Sequence, residues 1–104
     1  MLKIYALILQ VVREVAVLLA EIGRHDPDLK RQGMRALTSV PLNCAEGGYS
    51  QGRVRRARYF NALGSMKEVE AVLDVGEALG YVKVDAGVRD RIAHVCATFV
   101  KLVR

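Results

Sequence analysis

Aromatic residues supply only 6% of this 104-residue chain, and tryptophan is absent. The hydrophobic fraction of 52% therefore rests mostly on Ala, Val and Leu, a balance that suits packed helices better than a small β-barrel. Cysteine occurs twice. Cys44 and Cys96 stand far apart among apolar neighbours without CxxC spacing, which points to free thiols in a cytoplasmic protein rather than a disulfide framework. The two histidines, His25 and His94, have no ligand spacing, and no histidine follows a glutamate by three residues, so the sequence carries neither a zinc nor a di-iron signature. No glycine-rich phosphate loop or nucleophile elbow is present. We therefore expect neither an enzyme nor a cofactor-binding protein. Residues 1 to 22 form a long apolar stretch, but Lys3, Gln10, Arg13, Glu14 and Glu21 interrupt it and no small-residue cleavage site follows. Neither a signal peptide nor a membrane span is expected.

What the sequence does contain is helical periodicity with punctuation, over a length that corresponds to one domain. A first helix is expected over residues 2 to 22, with Gly23 as a left-handed cap. Asp26 as N-cap, Pro27 at the first helical position and Asp28 in the first turn open a second. That helix runs to about Glu46, where Gly47 and Gly48 stop it. Ser50 is the expected cap of a third helix ending at Leu79, with Gly80 and Tyr81 forming a Schellman turn. Asp85 caps a fourth helix from residue 86 to about 103. Short connections make neighbours antiparallel, so the expected fold is an all-α, up-and-down four-helix bundle. Pro41 removes the amide that would bond the Leu37 carbonyl and predicts a kink in the second helix.

At 100° per residue the five polar positions of the first helix share an arc of roughly 100°. The remaining circumference is apolar, wider than one bundle of this length can cover, which predicts contact with another subunit.

The formal charge is +5, from 16 Lys and Arg against 11 Asp and Glu. Arg53, Arg55, Arg56 and Arg58 crowd the start of the third helix, where the macrodipole disfavours cations, while Glu68, Glu70, Asp74 and Glu77 lie toward its other end. Two readings are open. The arginines hold phosphates, or they pair with acids of a neighbouring subunit. Lys30 and Arg31 extend the basic surface, and Tyr59 and Phe60 are either core residues or platforms for bases.

Arg35, Ser39, Asn43 and Glu46 fall at spacings of four, four and three on one face of the second helix, within roughly 80°. A polar stripe on an apolar helix needs partners. Ser65 and Glu68 on the third helix, beside Gly64, offer them, so a polar network between the two helices is expected.

The segments "QGMRALTSVPLNCAEGG" and "YFNALGSMKEVEAVLDVGEALGYV" resemble a bacterial four-helix-bundle family. It includes the proteins encoded by intervening sequences of 23S ribosomal RNA and the accessory variability determinant, Avd, of diversity-generating retroelements. Gln32, Arg35, Ser39, Pro41, Asn43, Glu46 and Gly47 carry the resemblance in the second helix; Gly64, Ser65, Glu68, Glu70, Leu79, Gly80 and Tyr81 carry it in the third. Gly33 departs from it, since a bulky apolar residue is usual there, and the first turn is shorter than usual. The resemblance implies a ring-like homopentamer and, for Avd-like members, a basic surface for RNA or DNA and a reverse transcriptase partner. It carries over no catalytic residue. The alternative to a nucleic-acid-binding protein is an interaction scaffold whose partner is a protein such as that polymerase.

Overall fold

The structure, a computed structural model, describes residues 2–104. Four helices follow in order: α1, Ile4–Gly23; α2, Pro27–Tyr49; α3, Gly52–Ala78; and α4, Ala86–Leu102. Each of α1 and α3 packs against both α2 and α4. The bundle measures 42 × 24 × 20 Å, so residues at its two ends are far apart.

The core follows from the sequence period. In α1 the buried side chains are Ile4, Ile8, Val11, Val15, Leu19 and Ile22, spaced by threes and fours along one stripe. Cys44 and Cys96 are buried free thiols, and burial pushes both up from the ordinary thiol pKa. Outside the seam, Val17 is 69% exposed and Ala6 and Ala20 are exposed, but all three fall on the side of Lys3, Gln10 and Arg13; the rest of the apolar circumference of α1 is buried or half-buried.

Local signals govern three of the helix ends. Asp26 accepts from the Leu29 amide at 3.0 Å to open α2, and Asp85 accepts from the Val88 amide at 2.9 Å to open α4. Gly80, at φ +77°, closes α3: its amide bonds to the Glu77 carbonyl and the Tyr81 amide to the Gly76 carbonyl, the two bonds of a Schellman turn. Tyr81 then stacks on His25 from the first connection, with ring centroids 4.8 Å apart.

The remaining ends differ from expectation. Gly23 has no positive φ and lies within α1; its missing side chain makes room for the Lys30 stem. Gly47 and Gly48 do not stop α2, which continues to Tyr49. Gly47 is buried beneath the Tyr59 ring, and an added Cβ would sit 2.7 Å from Tyr59 Cδ1. Close approach of α3, rather than chain reversal, explains this glycine. Ser50 does not cap α3. Its hydroxyl donates back to the Glu46 carbonyl at 2.8 Å, ending α2, and Gln51 stands at the cap without a side-chain bond. Gly52 supplies the left-handed residue that turns the chain, at φ +58°. Pro41 lies within α2, which remains helical on both sides of it. At Gly33 the space of a bulky side chain is filled by Leu19 and Val72, whose methyl groups would lie 2.6 and 3.1 Å from an added Cβ.

Candidate nucleic-acid interface

Antiparallel packing sets the start of α3 beside the ends of α2 and α4, and this resolves much of the apparent misplacement of its arginines. Arg55 Nε donates to the carbonyls of Gly47 at 3.1 Å and Ser50 at 2.8 Å, at the end of α2. Arg56 Nε donates to the Val103 carbonyl at 2.6 Å, at the end of α4. Both cations thus meet carbonyls at helix C-termini, where positive charge is favoured. Arg58 pairs with Glu46 at 2.9 Å, an exposed bridge of the kind that contributes little. Arg53 has no hydrogen-bond or ion-pair partner among the described residues.

The same logic operates at the other end of α3. Glu77 accepts from the Val84 amide at 3.0 Å and from Arg89 at 3.0 Å, and Arg89 also meets Asp74 at 2.7 Å. The amide bond and the guanidinium hold the Glu77 carboxyl below its ordinary pKa. A further tie joins α1 to α4. Arg91 clasps Glu14 through two bonds of 2.7 Å, and the bonding raises the Arg91 pKa. The partners stand 77 residues apart, a separation at which helical spacing gives no signal.

The four arginines do not form one patch. At 100° per residue Arg53 and Arg56 point to one side of α3, and Arg55 and Arg58 to the other. Phe60 shares the side of Arg53 and Arg56. It is 61% exposed, whereas Tyr59 is buried against Phe99 with ring centroids 5.9 Å apart. Arg53, Arg56, Ala57, Phe60 and Asn61 line a hollow of about 380 Å³.

Lys30 and Arg31 lie at the start of α2, at the opposite end of the bundle from this hollow, and Arg31 is engaged by Asp28 at 2.6 Å. The charge itself is polarised along the bundle. The outer two turns at the α3 start hold Lys3, Arg53, Arg55, Arg56, Arg58, Lys101 and Arg104 against the single acid Glu46. The rest of the chain has nine basic residues and ten acids. The whole formal excess of +5 therefore resides at one end.

The polar stripe of α2 divides in a similar way. Ser65 donates to Ser39 Oγ at 2.8 Å, and Asn43 Nδ2 donates to the same oxygen at 2.9 Å and to the Ser39 carbonyl at 3.0 Å. These three residues form the link between α2 and α3 that the spacing predicts. Glu46 turns instead to Arg58, and Arg35 and Glu68 join no ion pair or side-chain hydrogen bond among the described residues. Both are exposed, so burial does not force them to pair. With Gln32, Ala36, Ser39 and Ser65 they line an open cleft of about 470 Å³ between the two helices. Among the described residues no group of three His, Cys, Asp or Glu side chains converges as a metal site would require, and no helix is long and apolar enough to cross a membrane.

A four-helix, all-α bundle with a polar α2–α3 seam and one basic end is the class that fold and surface define. Residues 1–97 match the 23S rRNA-intervening sequence protein family, and the chain belongs to it. A crystal structure of a protein of unknown function from the S23 ribosomal protein family of Bacteroides thetaiotaomicron has the same fold. The TM-score is 0.84 at 15% sequence identity, covering 97% of this chain and 98% of that one. No curated protein matches the chain.

Proposed function

We propose that the protein is a non-enzymatic, cytoplasmic, self-associating protein that binds RNA or DNA through phosphate contacts. The polarised charge carries this reading, because seven cations and one acid at one end make a field that attracts polyanions without reading their sequence. Arg53 and Arg56 are assigned the principal contacts. Arg53 has no side-chain partner among the described residues, and Arg56 uses its Nε internally while its terminal nitrogens remain to bind an anion. Arg55 and Arg58 add charge from the other side of α3, and Lys30 and Arg31 lie too far away to share the same phosphates.

The salt dependence of binding tests the assignment. Each phosphate contacted adds about −0.9 to the slope of log K against log salt for duplex DNA, so replacing Arg53 and Arg56 by Glu should make the slope shallower by about 2. The salt series for the unmodified protein and the double variant, followed by fluorescence anisotropy, gives both slopes. Binding that ignores salt, or equal slopes for the two proteins, would remove the phosphate reading.

Self-association, as a pentamer by resemblance to the family, is supported by the apolar side chains that flank the seam of α1 and stay half-buried in one chain, Tyr5, Leu7, Leu9, Val12 and Leu18. Light scattering after size exclusion should return a mass several times the 11.5 kDa of the chain. A monomer at micromolar concentration would contradict it.

A second reading, a scaffold for a protein such as a reverse transcriptase, is favoured by the α2–α3 cleft. Arg35 on one wall and Glu68 on the other leave both charges free for a partner's side chains. A co-purifying protein together with no gel shift at physiological salt would select this reading over the first.

A further inference from the structure

We propose that the hollow beside Phe60 receives one unstacked base, so that the protein prefers single-stranded nucleic acid to duplex. This deepens the phosphate reading and rests on it. Phe60 is not required by the core, since its neighbour Tyr59 fills the inward position at 4% exposure while Phe60 is 61% exposed. An isolated exposed aromatic ring is ordinary on a protein surface. This one stands within a hollow whose other walls are Arg53, Arg56, Ala57 and Asn61.

Two of the four residues one turn before and after Phe60 are small. Ala57 precedes it by three positions, and Gly64 follows by four with open space where a Cβ would stand. A flat ligand can therefore approach the ring along the Ala57–Gly64 side, with Arg56 at its edge. Arg56 is anchored through Nε to the Val103 carbonyl, which fixes its guanidinium beside the hollow, and Arg53 has no partner among the described residues. Phosphates on the two guanidiniums and a base on the phenyl face use each group for what its chemistry recognises. The Asn61 amide supplies a donor and an acceptor at the edge of the hollow, where base edges carry both. In a duplex the base faces are already covered by their neighbours, so only a single strand can occupy the ring.

Three labelled 12-mers test the proposal: single-stranded DNA, the same sequence as a duplex, and an abasic strand with the same phosphates. Anisotropy at one salt concentration should rank the single strand tightest. Phe60→Ala should weaken it by roughly 5- to 150-fold, as expected for loss of one base–aromatic stack. The abasic strand should be unaffected by that change, and Phe60→Trp should restore the single-strand affinity. Equal affinity for the abasic and normal strands, or no loss on Phe60→Ala, overturns the stacking site while leaving the phosphate contacts standing. Failure of all three oligonucleotides to bind overturns both. A change in oligomer mass on Phe60→Ala, measured by light scattering, would assign the ring to a contact between copies and also overturn the site.

Discussion

Phe99→Ala will destabilise the fold by about 3–5 kcal/mol, the range for removing a buried phenyl and leaving a cavity. Phe99 is fully buried in the last turns of α4 and meets the Tyr59 ring, so its loss also removes a neighbour of the residue on which α2 and α3 converge. A domain of this size has about 5–15 kcal/mol in total, so the variant should retain a fraction of its stability, and its Tm should fall by roughly 12 °C or more. Thermal and urea unfolding followed by circular dichroism would measure it. Phe99→Leu should lose much less, since most of the volume is kept. A fall of under about 4 °C for the alanine variant would mean that the end of α4 is not part of the cooperative core.

Gly47→Ala is the second, and its sign is opposite to the one that helix propensity gives. In an exposed helix interior the change gains about 1 kcal/mol. At this position the new methyl group would run into Tyr59, which is 4% exposed and also meets the Phe99 ring. A ring so confined cannot rotate away as the end of a flexible chain could. The overpacking cost of about 1–3 kcal/mol should therefore exceed the propensity gain. The same change made together with Tyr59→Leu should cost less than in the unmodified protein, because the leucine leaves room for the methyl. That pair of measurements is a double-mutant cycle, in which the coupling reports the contact itself. An alanine variant at least as stable as the parent would show that α2 and α3 can separate here without penalty.

These two residues mark what could and could not be seen in the sequence. Asp26, Asp85 and Gly80 were legible because a cap is decided by the few residues around it. The apolar period of α1 was legible for the same reason, since Ile4 to Ile22 repeats without reference to anything else. Gly47 reads as a stop in the sequence because its reason lies on α3, in Tyr59, and local propensity contains no trace of a ring across a helix seam. The arginines of α3 were found as a cluster, but their internal partners were not. Those partners are main-chain carbonyls at Gly47, Ser50 and Val103, groups every residue possesses and no sequence pattern marks. The serine link from α2 to α3 was recovered from spacing alone, whereas Arg35 and Glu68 flank the open cleft between the two helices, where spacing gives direction but not depth.

The confinement of the formal charge to one end has a consequence for symmetry. In an antiparallel bundle neighbouring macrodipoles largely cancel, so the asymmetry belongs to side chains and survives in any assembly that keeps the bundles aligned. A ring closed by rotation about an axis along the bundles carries every basic end on one rim and leaves the opposite rim close to neutral. A dihedral assembly, by contrast, places basic ends at both poles. The first arrangement has one way to face a polyanion, and the second can join two.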